Sequence, residues 1–203
     1  TNQVIPFAVL VMVMFAFALD SDSVLERVAP GLVWLATIFS VLFLIARSFA
    51  VETADGALDA MRSAGVDPMA IFIGKAVAVA AQLLTLEIAL VLAAVILYRA
   101  DLTAGGSVLL VTTLIAATIG LASVATLYGG LTAGSKGRET LLPLLMLPVL
   151  APVLIGATRS TESAFRTNGI EVGEGWPWLG LLAVFAVLFS VVGAVAFGPL
   201  VDE

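Results

Sequence analysis

The chain has no cysteine and no histidine. Disulfides and thiolate or imidazole metal centres are therefore excluded, and so are nucleophilic mechanisms built on either residue. Charge is scarce as well, at 12% of 203 residues, and its balance is acidic, with nine Lys and Arg against 15 Asp and Glu for a net charge of −6. A nucleic-acid partner needs clustered basic side chains on one face, and nine scattered ones supply none. No metal site and no catalytic site of its own can be drawn.

What is present is apolar chain. Hydrophobic residues make up 61% of the sequence and the mean hydropathy is +1.15, values that belong to a lipid-embedded protein and leave no length for a sizeable soluble domain. About 20 apolar residues of helix cross the hydrocarbon core. Six runs satisfy or approach that rule, at 4–19, 30–49, 68–98, 107–128, 141–157 and 178–201. They are continuously apolar and lack the alternation of a membrane barrel. The expected fold class is an all-α integral membrane protein with six transmembrane helices in one domain, 1–203. The run "AFA" at Ala16 to Ala18 has the form of a signal-peptidase site, but without a basic leader and with five further spans behind it, the first run is read as a true span.

One polar stretch interrupts the apolar pattern, "VETADGALDAMRSAGVDP" from Val51 to Pro68. On a helical wheel Ala54, Ala57, Leu58, Met61, Ala64 and Gly65 share one stripe, and Glu52, Asp55, Asp59, Arg62 and Ser63 lie opposite. Residues 52–66 thus predict a short amphipathic helix, too short to span and lying along the membrane surface. Its polar face carries three carboxylates and one guanidinium, whereas helices that grip anionic lipid present Lys and Arg. That face suits a protein partner. Asp67-Pro68 then reads as an N-cap followed by proline at the first helical position, starting the third span.

Six spans put both termini on one side. With the polar stretch cytosolic, Arg47, Arg62, Lys75, Lys136 and Arg138 lie inside and Arg27, Arg99, Arg159 and Arg166 outside, and the short inner loop "AGSKGRE" is of the kind the positive-inside rule counts. Both termini are expected in the cytosol. Glu87 is the one ionisable residue deep in a span, about 18 Å of helix from both Lys75 and Arg99. A carboxyl at that depth is expected to be neutral or hydrogen-bonded to a neighbouring helix, with Thr113, Thr118 and Ser123 as candidate partners. Trp34, Trp176 and Trp178 fit an aromatic belt at the outer surface. Ala116 and Gly120 have the spacing of a close helix approach.

The segment "ETADGALDAMRSAGVDPMAIFIGK" resembles the acidic-Gly region and downstream Lys of ABC-2-type permeases, and more narrowly those of the haem exporter protein B (CcmB) family. Asp55-Gly56, Leu58 and Lys75 fall at that family's spacing. Upstream, "APGLVWLATIFSVLFLIARSF" resembles its second span, and "LPLLMLPVLAPVLIGA" resembles its proline-rich fifth. The resemblance implies an ABC-2-type permease fold in the inner membrane, with 52–66 as the coupling helix. Glu52, Asp55, Gly56, Leu58, Asp59, Met61 and Arg62 would then contact an ATPase, flanked by a cytosolic interface at Lys75, Lys136 and Arg138.

The implied partners are an ABC ATPase subunit resembling CcmA, which would bind the ATP and Mg, a haem-handling membrane protein resembling CcmC and a haem chaperone resembling CcmE; one copy of this chain or a homodimer both stay open. The implied role is cytochrome c maturation, with ATP hydrolysis tied to haem export or to release of the haem-loaded chaperone. Haem iron takes His, Cys, Met or Tyr ligands. Without His or Cys, and with Met12, Met14, Met61, Met69 and Met146 read as packing residues, the chain is expected to hold no haem and no cofactor of its own. Two other readings stay open on the residues alone: an ABC-2 exporter permease for lipid, polysaccharide or drug, and a transporter or scaffold independent of an ATPase.

Overall fold

In the computed structural model, described for residues 4–18, 22–54, 60, 63–98, 102–132 and 138–201, the chain is helical and contains no strand among the described residues. The helices are α1 (Val4–Ala18), α2 (Asp22–Ala54), α3 (Pro68–Tyr98), α4 (Ala104–Leu131), α5 (Arg138–Ala164) and α6 (Trp176–Val201), with two 3₁₀ turns, Thr167–Gly169 and Val172–Gly175, between α5 and α6. Among the described residues five segments are long and apolar enough to cross a membrane: Val24–Ile45, Pro68–Leu97, Ala104–Leu131, Leu142–Ala164 and Val172–Pro199. The helix α1 is shorter, at 15 residues, a rise of about 22 Å.

Several helices outrun the apolar segments that announced them. The helix α2 begins eight residues before the expected second span and continues through Ala54, so Glu52 belongs to the backbone of α2 rather than to a separate helix. No glycine or proline follows Gly31 until Gly56, and nothing in that stretch stops a helix once it leaves the hydrocarbon. The helix α5 likewise runs seven residues past Ala157, carried by a hydroxyl-rich turn whose Ser163 donates back to the Arg159 carbonyl. The bounds of α3 are those read from the sequence.

The start of α3 follows local chemistry. Ala64 N–H still bonds the Ala60 carbonyl at 3.0 Å, then Gly65 adopts φ +72°, the left-handed conformation that ends helices and that glycine takes without strain. Two residues later the Asp67 carboxylate accepts the Met69 N–H at 3.1 Å, and Pro68, whose missing N–H costs nothing in a first turn, opens the helix. This turn is the end of the polar segment predicted at 52–66. Residues 55–59, 61 and 62 lie outside the described residues.

The bundle is organised around α4, which packs on α6, α5, α3 and α2. Its segment is 67% buried, against 22% for that of α6, so α4 is the interior helix of the bundle and α6 lies at its periphery with apolar side chains exposed. Close approach depends on glycine. A Cβ at Gly106 would strike the Ala164 carbonyl of α5, one at Gly120 would lie 2.9 Å from the Phe185 ring of α6, and one at Gly130 would lie 2.7 Å from the Phe197 ring. Gly120 thus makes the close approach expected of its small-residue spacing. Elsewhere α2 turns Leu35, Phe39 and Phe43 outward, and these form its lipid-facing stripe.

Candidate functional site: a polar end and a buried carboxyl

Chain direction determines what shares an end. The helices α4 and α6 run one way and α3 and α5 the other, as the paired contacts Thr113–Ser160 with Gly106–Ala164, Gly120–Phe185 with Gly130–Phe197, and Glu87–Thr118 with the Ile71, Phe72 and Leu127 cluster require. The helix α2 continues to Ala54 beyond Trp34, which meets Thr161 near the end of α5, and so runs with α4. The end of α2, the start of α3, the end of α4, the start of α5 and the end of α6 therefore lie at one end of the bundle. Lys75 stands about 10 Å into α3 from that end and is half-buried, and Arg138 opens α5 there. Beneath this surface Ile71, Phe72, Leu127 and Phe197 form a small apolar cluster in which the rings of Phe72 and Phe197 are 5.6 Å apart. It ties the first turn of α3 to α4 and α6. Of the coupling residues read from the sequence, Glu52 is placed in α2, while Asp55, Gly56, Leu58, Asp59, Met61 and Arg62 lie outside the described residues, as does Lys136.

Glu87 is fully buried at the α3–α4 interface. Thr118 Oγ1 donates to its Oε2 at 2.6 Å, so of the three hydroxyls named from the sequence Thr118 is the partner. The others are engaged elsewhere: Thr113 with Ser160 of α5 at 2.6 Å, Ser123 with Ser190 of α6 at 2.9 Å. The second carboxyl oxygen, Oε1, has no hydrogen-bond partner among the described residues. Leaving a buried polar atom unpaired costs about 1–3 kcal/mol, on top of the roughly 3 kcal/mol of placing an acid at the centre of a membrane helix. Leu83, Leu86 and Leu90, all buried on the same helix, show that an apolar residue is the ordinary occupant of this face.

The far end holds a polar knot that sequence reasoning missed. Trp34, expected in the aromatic belt, is instead fully buried, with its indole Nε1 donating to Thr161 Oγ1 at 2.8 Å. The correction has a physical cause: an indole away from the headgroups must find an acceptor, and the α5 turn "RSTES" supplies one. Ser160 and Thr161 face inward while Arg159 and Glu162 pair on the outside at 3.0 Å. The signal was available in that run of hydroxyls, which the expected span end at Ala157 excluded. Trp176 is exposed and Trp178 half-buried at the start of α6, as a belt position allows. Among the described residues no group of His, Cys, Asp or Glu is arranged to hold a metal.

Helices of this length and apolarity, with polar connections gathered at the ends and one carboxyl held inside, define a multi-pass helical membrane protein. Sequence comparison gives the family. The profile described as "CcmB protein" matches residues 1–202, and the chain belongs to that family. It is similar to proteins named Heme exporter protein B, from Haemophilus influenzae at 32% identity over 95% of this chain and 82% of the relative, from Rhodobacter capsulatus at 33% identity over 82% and 76%, and from Pseudomonas aeruginosa at 28% identity over 93% and 83%.

Proposed function

We propose that this chain is the permease subunit of an ABC-type complex for cytochrome c maturation, coupling ATP hydrolysis on a partner ATPase to haem export or to release of a haem-loaded chaperone. The observation that carries this reading is the whole-length family match, with relatives named as haem exporters. The chain contributes no catalytic group of its own. ATP and Mg are bound by a CcmA-like partner, and CcmC-like and CcmE-like proteins handle haem beside it. Haem is cargo of the assembly rather than a resident group of this chain, which offers the iron no His or Cys.

In this reading the end that gathers the α2–α3 and α4–α5 connections faces the cytosol of an inner membrane, together with both termini. The ATPase grips the acidic face of 52–66, and force enters the bundle through the short turn at Gly65 and Asp67-Pro68. Charge reversal tests it. Asp55→Lys with Asp59→Lys strengthens attraction to anionic lipid by about 1 kcal/mol per added basic residue but removes the face a motor would hold. The variant is expected to insert normally, to lose the ATPase on purification and to stop c-type cytochrome assembly. Retention of the ATPase together with normal cytochrome assembly would reduce 52–66 to a membrane anchor.

A further inference from the structure

Glu87 occupies an apolar face at the centre of the bundle, yet only one of its two oxygens is used. An orphaned buried carboxyl oxygen calls for an explanation, and use in another state of the molecule is one. The neighbouring helix α2, which packs against both α3 and α4, carries the candidate donor.

Levels along the bundle can be matched from the hydrogen bonds. Trp34 of α2 and Thr113 of α4 bond adjacent residues of α5, Thr161 and Ser160, and so lie at nearly one depth. From there α2 and α4 run in the same direction. Thr118 is five residues on, about 7.5 Å, and Ser40 is six residues on, about 9 Å, which brings Ser40 to within about 1.5 Å of the level of the Glu87–Thr118 bond. Six residues also turn Ser40 about 120° around α2 from Trp34. Trp34 faces α5, so Ser40 is turned away from α5, on a helix whose other packing partners are α1, α3 and α4. Its side chain is buried, and its hydroxyl is parked on its own helix, donating to the Ala36 carbonyl at 2.7 Å. A hydroxyl in that arrangement leaves its carbonyl by a single χ1 rotation, because the carbonyl keeps its helical N–H.

We infer that Glu87 is a two-sided latch: Oε2 holds Thr118 of α4 in the conformation described, and Oε1 takes the Ser40 hydroxyl of α2 when the ATPase moves α3. The inference rests on the coupling role proposed above. It assigns Glu87 and Ser40 as positioning residues for the power stroke, which reaches α3 through the capped turn at Asp67-Pro68 and is read out at mid-membrane by a change of hydrogen-bond donors.

The absence of native cysteine makes the test direct. In the complex with its ATPase, the pair Glu87→Cys/Thr118→Cys is expected to cross-link under iodine without nucleotide. Glu87→Cys/Ser40→Cys is expected to cross-link at least fivefold faster with ATP and vanadate than without. A Ser40–Glu87 rate indifferent to nucleotide overturns the latch while leaving the permease assignment intact, provided the ATPase is still bound; absence of any ATPase from the preparation overturns the assignment itself. In the otherwise native chain, Ser40→Ala is expected to leave the melting temperature of the complex unchanged and to lower cytochrome c assembly at least fivefold, with Ser40→Thr restoring it. Thr118→Val is expected to lower the melting temperature. Full activity of Ser40→Ala, or a melting temperature lowered as much as by Thr118→Val, contradicts a donor used in only one state.

Discussion

At the scale of single residues, the contacts between helices separate positions that look alike in sequence. Gly31 and Gly106 both lie in helices, but a Cβ meets nothing within 4 Å at the first and a backbone carbonyl at the second. Gly31→Ala should therefore stabilise the protein by up to about 1 kcal/mol through helix propensity, whereas Gly106→Ala should destabilise it by about 1–3 kcal/mol because α4 and α5 must separate. Equilibrium unfolding in mixed micelles checks both signs. Trp34→Phe keeps the ring and removes the indole donor to Thr161, a loss of about 1–2 kcal/mol on membrane hydrogen-bond scales. Thr161→Val added to it should cost little more, since the bond is already gone. At Glu87, Gln keeps an acceptor for Thr118 and should preserve assembly, while Lys places an unmatched ammonium in the core and should abolish it.

At the scale of elements, the sequence carried most of the helices and few of the contacts between them. Apolar runs marked the spans because lipid demands them, and the start of α3 was legible because Asp67-Pro68 is a start signal written in local chemistry. The ends of α2 and α5 were not, since a helix does not stop where the hydrocarbon does; it stops where glycine, proline or an unsatisfiable group intervenes. Glu87 stood out as the lone deep charge, but choosing Thr118 over Thr113 and Ser123 required the rotational setting of α4, which has almost no apolar asymmetry to read. Trp34 was misplaced because its acceptor, Thr161, lies beyond the Ala157 at which the fifth span was expected to end. The cap on α3 is testable: Asp67→Ala removes the acceptor for Met69 N–H and should cost about 1 kcal/mol, and Asp67→Asn should recover most of it. If 52–66 drives α3, Asp67→Ala should also weaken the response of Glu87 cross-links to nucleotide.

At the scale of the whole molecule, the alternation of helix direction sorts the connections onto two faces. Ser63 shares a face with the end of α4 and the start of α5, and the 3₁₀ turns with exposed Gly173 and Glu174 lie on the other. Single cysteines at Ser63 and Gly173 should report this, with an impermeant maleimide labelling Gly173→Cys in intact cells and Ser63→Cys only after the membrane is opened. The reverse pattern would invert the protein and separate 52–66 from any cytosolic ATPase. The broad lipid-facing surface of α6, with Val184, Val187, Val191 and Val195 exposed, has no bearing on that test.

The interior position of α4 has a consequence for biosynthesis. The helix that most others pack against follows α2 and α3 in the chain, so these two enter the bilayer before their common partner exists. Glu87 precedes Thr118 by 31 residues, which at about 5–20 residues per second is roughly 2–6 s of translation. During that interval a bare carboxyl has no protein hydroxyl from α4 to meet it, and Trp34 waits four times longer for Thr161, 127 residues downstream. The early spans are therefore expected to stay beside the insertion machinery until α4 and then α5 arrive to receive them, and site-specific cross-linking of a protein truncated before α4 should find Glu87 still against that machinery; a truncated protein released into lipid would show that α3 does not wait for α4.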